Sequence, residues 1–274
     1  MERKLGITTY CLNLSVPLSE ELVLMKKAGF DCFGTGAYKS EETKALVDKG
    51  NSIGLECNFI HAPFSFPDAY CNDVWRDKYS ARKMINAYNE SIDTAAECGI
   101  PNVVIHLHAN LDAPEISDSG IKYFDDVVER AENRGVNVAF ENLIHIGIFT
   151  YMAERYENVS NVGYCYDMGH EYAYTGFLYN KEMSWVDIFK DKVVTTHIHD
   201  NYGFSDNYDG INDPDLHLLP FDGNLDYRKP MAKLNEYGYA GPLILEVSNR
   251  RHREMPNEEF LSLCYDKVKK LSAL

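Results

Sequence analysis

The chain has 274 residues, 45% of them hydrophobic, which is enough for a large core in one domain or in two smaller ones. Its formal charge of −15 disfavours nucleic acid as a partner, because phosphate contacts need a clustered basic surface. Seven scattered cysteines without a C-x-x-C pair argue against a disulfide framework, and the lack of a signal segment or a long apolar run predicts a cytoplasmic protein that does not enter a membrane.

Short apolar or β-branched runs alternate with longer segments of helical periodicity along the whole chain. Strands are predicted over residues 5–10, 30–36, 55–61, 102–108, 137–141, 162–167, 193–199 and 242–247. Several helical segments open with Ser and Glu and close at Gly, as helix caps do. Because no linker divides the chain, these units predict a single (β/α)8 TIM barrel, an α/β fold, over residues 1–274. A doubly wound sheet is the alternative, but no G-x-G-x-x-G motif follows the first strand.

Histidines and carboxylates collect at the carboxyl ends of the predicted strands. They are His61, His106, His108, Glu141, Asp167, His197, His199 and Glu246. In a TIM barrel these ends and the following loops form the active face. Residues two apart on a strand share a side, so both histidines of each H-x-H pair should point the same way. For the same reason Cys165 and Ile244 should lie beneath Asp167 and Glu246.

These inward carboxylates have no Lys or Arg at the strand ends to pair with, so burying them would cost a large desolvation free energy. A divalent cation would remove that cost. Glu141, Asp167, Glu246 and one histidine of the seventh strand form an oxygen-rich ligand set with one imidazole. Such a set suits Mn²⁺, Mg²⁺, Co²⁺ or Zn²⁺, and the residue types do not select among these metals.

The segment "HIHDNYGFSDNYDGINDPDLH", residues 197–217, contains three His and five Asp and no Lys or Arg. It lacks the residue order of an EF-hand loop. We expect its two ends to face the active side of the barrel, whereas Asp206 and Asp209 in its middle are expected to be solvated. His252, which is surrounded by arginines, is expected at the surface.

Seven motifs spread in order over nearly the whole chain resemble the xylose isomerase-like TIM barrels, a superfamily of sugar isomerases and epimerases that also includes endonuclease IV. They are IHAPF (60–64), HLHAN (106–110), FENL (140–143), YDMGH (166–170), HIHDN (197–201), DLHLLPFDGNLDY (215–227) and LILEVS (243–248). The resemblance implies a small-molecule sugar or sugar derivative as the partner, and it leaves a homo-oligomer open.

Carried over motif by motif, the resemblance to the sugar enzymes implies one metal site and several substrate contacts. The implied ligands are Glu141, Asp167, His197 and Glu246, with His197 preferred to His199 because the family's ligand His stands three residues before an acidic residue, here Asp200. Glu141 and Glu246 would also act as catalytic acid and base. The His of the YDMGH motif, His170, is expected to contact substrate. His61 and His108, together with Trp75, which lies outside the motifs, are further candidate substrate-binding residues.

The resemblance to endonuclease IV implies additional metal ligands. One zinc would use His61 and His108 with Glu141, and another would use His170, Asp215 and His217. The charge of −15 and the absence of basic loops weigh against cleavage of abasic DNA. We therefore expect a metal-dependent sugar isomerase or epimerase, with the zinc phosphodiesterase, β-elimination on a 3-keto-glycoside and a non-catalytic binding barrel as alternatives.

Two features in which the chain differs from related sugar enzymes bear on the choice of substrate. Ketose 3-epimerases have an Arg six residues after the ligand His, where this chain has Gly203. A phosphorylated substrate needs a basic clamp after the seventh and eighth strands, and only Arg250, Arg251 and Arg253 qualify. The sequence thus favours an unphosphorylated sugar. Phe64, Phe66, Trp75, Tyr172 and Tyr202 are candidates for stacking on it.

Overall fold

A computed structural model describes residues 3–12, 16–37, 39–109, 114–178, 184–203 and 215–274. Asp206 and Asp209, expected to be solvated, lie outside the described residues. The strands are β1 (Leu5–Thr8), β2 (Cys32–Gly36), β3 (Glu56–His61), β4 (Ser65–Phe66), β5 (Ala69–Tyr70), β6 (Asn102–His106), β7 (Asn137–Glu141), β8 (Val162–Asp167), β9 (Val193–His197) and β10 (Leu243–Leu245). Eight of them form one parallel sheet in the order β10-β1-β2-β3-β6-β7-β8-β9, and β4 pairs with β5 in a short antiparallel hairpin.

The two ends of this sheet meet, which makes it a barrel. Ile198, just after β9, bridges Leu245 of β10, and the Glu246 N–H donates to the Ile198 carbonyl over 3.0 Å. The Thr196 hydroxyl extends the seam, since it accepts from the Ile244 N–H and donates to the Pro242 carbonyl, each over 3.1 Å. The predicted (β/α)8 barrel is confirmed, and the doubly wound sheet is excluded.

The helices run between the strands. They are α1 (Leu18–Ala28), α2 (Ser40–Ser52), α3 (Ala81–Cys98), α4 (Asp118–Arg134), α5 (Ile146–Arg155), α6 (Met168–Leu178), α7 (Val186–Phe189), α8 (Arg228–Glu236) and α9 (Asn257–Ser272). The predicted glycine stops are confirmed at Gly99 and Gly135, where φ is 69° and a side chain would be strained. In the part of the chain that the structure describes, no helix is both long and apolar enough to cross a membrane.

Four strands end two residues earlier than predicted. β1 ends at Thr8, β6 at His106, β9 at His197 and β10 at Leu245. His106 pairs with Glu141, the last residue of β7, and His197 pairs with Asp167, the last residue of β8. The ladder therefore ends where the neighbouring strand ends, and the chain turns away beyond that point.

A small apolar layer fills the barrel interior. Its members are Cys32, Phe59, Val104, Ala139, Cys165 and Ile244. Two residues further along five of these six strands the residue is polar, β2 with Gly34 being the exception: for example, His61 follows Phe59, Glu141 follows Ala139 and Asp167 follows Cys165. The predicted positions of Cys165 and Ile244 are confirmed, and a polar layer of His, Asp and Glu lies directly above the apolar one.

Candidate metal centre

Glu141, at the end of β7, lies at the centre of this polar layer and is only 1% exposed. Its Oε1 is 3.0 Å from His197 Nδ1. Its Oε2 is 3.0 Å from His106 Nε2 and 3.1 Å from His61 Nε2. Three strands therefore aim imidazole nitrogens at one buried carboxylate.

The four residues expected to bind metal are brought together. Donor atoms of Glu141, Asp167, His197 and Glu246 all lie within 4.8 Å of one another. His197 Nδ1 is 3.3 Å from Glu246 Oε2 and 3.9 Å from Asp167 Oδ2. We call these four residues the primary cluster.

Hydrogen bonds from α6 and from the residue after β7 hold Asp167 in place. The Asn142 side chain pairs with the Asp167 backbone in both directions, since its amide donates to the carbonyl over 2.9 Å and its oxygen accepts from the N–H over 2.8 Å. The His170 N–H donates to Asp167 Oδ1 over 2.6 Å. Asp167 is thus preorganised by groups that are not ligands themselves.

A secondary cluster lies beside the first and consists of His170, His199, Asp215 and His217. Asp215 Oδ2 is 3.1 Å from His170 Nε2 and 3.1 Å from His217 Nε2. His199 Nε2 is 3.1 Å from Asp167, so it links the two clusters, and its ring stacks on His217 with centroids 4.0 Å apart. The two ends of the 197–217 segment therefore meet here, as expected.

The hydrogen bonds of the histidines test whether a cation fits. Nδ1 of His61, His170 and His217 each lies 2.9 Å from a backbone carbonyl, of Ala62, Asn142 and Glu246 respectively. A carbonyl only accepts, so each Nδ1 must donate, and the neutral imidazole then presents its Nε2 lone pair to a carboxylate oxygen. Two lone pairs repel each other unless a proton or a metal ion lies between them.

Charge supports the same conclusion. Among the described residues, no Lys or Arg forms an ion pair with Glu141, Asp167 or Glu246. The donor set of carboxylate oxygens and imidazole nitrogens, with backbone carbonyls fixing the tautomers, matches the chemistry of Mn²⁺, Mg²⁺, Co²⁺ or Zn²⁺ sites. The residues present therefore fit a divalent cation.

Without a metal, protons on the histidines balance the carboxylates. Burial alone would raise the pKa of Glu141, but His197 and His106 hold it well below its usual value. Burial would lower the pKa of His197, but the Cys165 sulfur and the Glu246 and Glu141 carboxylates hold it well above its usual value. Against the same burial effect, Asp215 raises the pKa of His217 to about 10. In the metal-free centre His197 and His217 thus form imidazolium–carboxylate pairs, whereas burial lowers the pKa of His106.

The two histidines of the H-x-H pair at the end of β6 contact different partners. His106 reaches Glu141, but His108, beyond the end of the strand, accepts from the His145 N–H over 3.4 Å and packs against Phe149. Burial then holds the pKa of His108 well below its usual value. The ligand group with His61 and Glu141 contains His106 rather than the expected His108, so we do not include His108 among the proposed ligands or substrate contacts.

Trp75 lies in the core. It is 2% exposed, its indole N–H donates to the Leu107 carbonyl over 2.6 Å, and its ring packs on Phe124. A buried ring whose donor is satisfied has no face for a sugar, so we exclude it from the substrate contacts. Phe64 differs: it is 40% exposed and stacks on His106, with ring centroids 4.8 Å apart.

Gly203 has a structural reason to lack a side chain. Its φ is 82°, and a Cβ there would lie 3.1 Å from the ring of Tyr172. An Arg at this position, as in the ketose 3-epimerases that the motifs resemble, would be strained and would press on that ring. The backbone and the packing at position 203 therefore favour glycine over arginine.

Two histidines that the sequence interpretation passed over take part in the clusters. The ligand set expected from the sequence does not include His106, and it prefers His197 to His199. Each belongs to an H-x-H pair at the end of a strand, a pattern that marks both histidines of the pair as candidates without choosing between them. His252 lies apart, with its ring 5.7 Å from Phe260.

An open cleft of about 700 Å³ adjoins both clusters, a size that suits a small ligand. Its lining residues are Thr8, Thr9, Tyr10, Asp215, Leu216, His217, Glu246, Val247, Ser248, Arg250 and Arg251. Glu246 is 25% exposed, whereas the other three residues of the primary cluster are almost completely buried. Of the primary cluster, Glu246 is therefore the residue that a ligand in the cleft would meet.

Comparison with known proteins agrees with this architecture. The model of the family described as "Xylose isomerase-like TIM barrel" matches residues 22–263. The chain belongs to this family. An uncharacterized protein of Sinorhizobium fredii, y4fM, is 31% identical over 223 residues, which cover 75% of this chain and 67% of that protein.

Solved structures share the barrel over its full length. The 3-keto-D-glucoside 4-epimerase of E. coli is 16% identical and covers 100% of both chains with a TM-score of 0.70. The IOLI protein, solved with a bound zinc atom, is 18% identical and covers 98% of both chains with a TM-score of 0.74. At this identity the likeness establishes the fold of the barrel, which sugar epimerases share.

Proposed function

We propose that the protein is a divalent-metal-dependent sugar isomerase or epimerase that moves a proton at a carbon next to a carbonyl group. The observation that carries this proposal is the convergence of Glu141, Asp167, His197 and Glu246 within 4.8 Å at the mouth of the barrel. Structural similarity to a sugar epimerase and to a zinc-containing barrel supports it.

The primary cluster would hold the metal through its three carboxylates and His197 Nδ1. When bound, such a metal supplies a Lewis acid that polarises the carbonyl of a ketose and stabilises the negative charge left by deprotonation. Asn142 and the His170 N–H keep Asp167 in position for this role. The ligand set accepts Mn²⁺, Mg²⁺, Co²⁺ and Zn²⁺ alike.

Proton transfer falls to the two glutamates. Glu246 lines the cleft, so it is the group that reaches a substrate C–H and removes the proton. Glu141 lies deeper, beside His61 and His106, and we assign it the return of a proton, which the ionised Glu141 carboxylate must first take up through one of these two imidazoles. Return to the opposite face inverts the carbon, and return to the neighbouring carbon isomerises the sugar.

The direct test is hydrogen exchange between a ketose and deuterated solvent, followed by NMR, with protein purified without chelators. Exchange at the carbon next to the carbonyl is expected for the wild type and for Glu254→Gln, a control on the exposed loop after β10. The isosteric Glu246→Gln should lose about 10²-fold or more. If Glu246→Gln exchanges a ketose at the wild-type rate, Glu246 is not the base. If the wild type binds a ketose but exchanges none, a binding role replaces catalysis.

The secondary cluster favours one other candidate, a zinc phosphodiesterase acting at abasic DNA. Together with the group His61, His106 and Glu141, it would provide places for three metals. The formal charge of −15 weighs against a polyanionic substrate. Three metals per chain and nicking of an abasic duplex would establish the phosphodiesterase, and release of a free aglycone from a 3-keto-glycoside would establish β-elimination.

A further inference from the structure

Two arginines line the same cleft as Glu246 and His217. Arg250 and Arg251 lie in the 3-10 turn Asn249–Arg251, which directly follows β10. Both side chains are exposed to solvent. The walls of the cleft therefore carry metal-binding carboxylates together with a pair of permanent positive charges.

In the part of the chain that the structure describes, these arginines lack protein partners, as the exposed Arg82 and Arg253 also do, but of these four only Arg250 and Arg251 line the cleft. Elsewhere Arg130, Arg134, Arg155 and Arg228 each pair with an aspartate. Within the described ranges, neither Arg250 nor Arg251 forms a hydrogen bond or an ion pair. With 42 Asp and Glu against 27 Lys and Arg, two unpaired guanidinium groups at the wall of a cleft indicate a place for an anion from outside the chain.

The turn that carries the arginines is fixed to its neighbours. The Asn249 N–H donates to the Cys11 carbonyl over 2.8 Å, and the His252 N–H donates to the Asn249 carbonyl over 2.8 Å. The loop after β1 is fixed in turn, because the buried Glu21 carboxylate accepts from the N–H groups of Tyr10 and Leu12. The guanidinium groups therefore extend from a preorganised backbone.

We propose that Arg250 and Arg251 bind an anionic substituent of the substrate, a phosphate or a carboxylate, and that the enzyme prefers anionic sugars to neutral ones. This inference rests on the proposed function. It reverses the expectation of an unphosphorylated substrate, since two of the three candidate arginines lie in the cleft and Arg253 is not among its lining residues. A planar guanidinium pairs with phosphate and carboxylate oxygens in a bidentate manner, which explains arginine here.

The test uses a neutral ketohexose, its 6-phosphate and its 6-carboxylate in the solvent-exchange assay. The measured quantity is the ratio of kcat/KM for each anionic sugar to that for the neutral sugar. In Arg250→Gln/Arg251→Gln this ratio should fall about tenfold or more, the usual effect of losing charge-assisted hydrogen bonds. Arg253→Gln, which removes the same charge from the next turn, should keep the wild-type ratio. The anion with the larger ratio identifies the source of the negative charge.

A second measurement keeps the inference independent of turnover. Titration calorimetry should show that inorganic phosphate binds the wild type and Arg253→Gln with the same affinity. The double variant should bind phosphate about tenfold more weakly. If no sugar exchanges hydrogen but this dependence holds, the proposed function fails and the anion subsite stands. If the neutral ketose is the best substrate and phosphate binding ignores both arginines, the subsite is wrong although the isomerase proposal survives.

Discussion

Metal binding at the primary cluster should release a proton from His197. In the metal-free protein, nearby carboxylates hold the pKa of His197 well above its usual value despite burial, so its Nδ1 carries a proton at neutral pH. A metal needs the lone pair of that nitrogen. Burial opposes ionisation of Glu141 and Glu246, but His197 outweighs it and holds their pKa values low, so these carboxylates have no proton to release.

The pH dependence of the metal affinity follows from the number of protons released. One released proton makes the apparent association constant rise about tenfold per pH unit, as long as the pH is below the raised pKa of His197 and above the lowered pKa values of the glutamates. Filling the secondary cluster as well would release further protons from His170 and His217. Against the effect of burial, Asp167 and Asp215 raise the pKa of His170, and Asp215 raises the pKa of His217. The proton count therefore separates one bound metal from several.

Calorimetric titration of metal-free protein with Mn²⁺, in two buffers of different ionisation enthalpy between about pH 6 and 8, measures the released protons directly. His252→Gln, which changes a histidine outside both clusters, is the control and should give the same count. Affinity that does not change with pH, or zero released protons, would show that the metal does not displace the proton of His197.

Three further predictions concern stability, each measured by urea unfolding of metal-free protein. A Cβ on Gly169 would lie 2.0 Å from His199, so Gly169→Ala should lower the free energy of unfolding by about 1–3 kcal/mol. Gly147→Ala is the control, because a Cβ there meets open space, and it should cause no loss of stability. Equal effects of the two substitutions would refute the contact. The fully buried Asp200 carboxylate accepts three backbone N–H groups, so Asp200→Asn should cost about 2–4 kcal/mol, and a loss below about 0.5 kcal/mol would contradict this. Burial raises the pKa of Glu171 to about 7, so the folded state holds its proton more tightly than the unfolded state, and stability falls as the pH rises from about 4.5 to 7. Glu171→Gln should therefore be more stable than the wild type by about 1–3 kcal/mol at pH 8 and about equal to it at pH 4. No such difference would refute the shift.

The barrel and the polar layer above its core were predictable because both depend on local patterns. Strand alternation has a period of two, so Cys165 beneath Asp167 and Ile244 beneath Glu246 follow from the sequence alone. The rule that parallel strands present their carboxyl ends at one face then brings the carboxylates together. These two rules require no knowledge of contacts between distant residues.

The exchange of His108 for His106 was not predictable, because the end of a strand is set by its partner. The last residue of β6, His106, pairs with Glu141, which is the last residue of β7, so β6 stops there. Beyond that point alternation no longer applies, and His108 turns to the backbone of His145. The sequence of either strand alone does not contain this limit.

Roles of aromatic and basic side chains in loops depend on packing that composition does not encode. Trp75 and Phe64 are both aromatic residues after β3, yet one fills the core and the other is exposed beside His106. Likewise, three arginines follow β10 in sequence, and only the path of the 3-10 turn determines that Arg250 and Arg251 line the cleft. Such positions follow from tertiary contacts rather than from a motif.

The central claim is that the primary cluster binds a metal that supports proton transfer on a ketose. Its most direct test is C–H exchange of ketoses with deuterated solvent, by protein carrying one divalent metal per chain. We predict exchange next to the carbonyl that stops when a chelator removes the metal and returns when Mn²⁺ is added. Absence of exchange over a broad panel of neutral and anionic ketoses, by protein shown to hold the metal, would contradict the account.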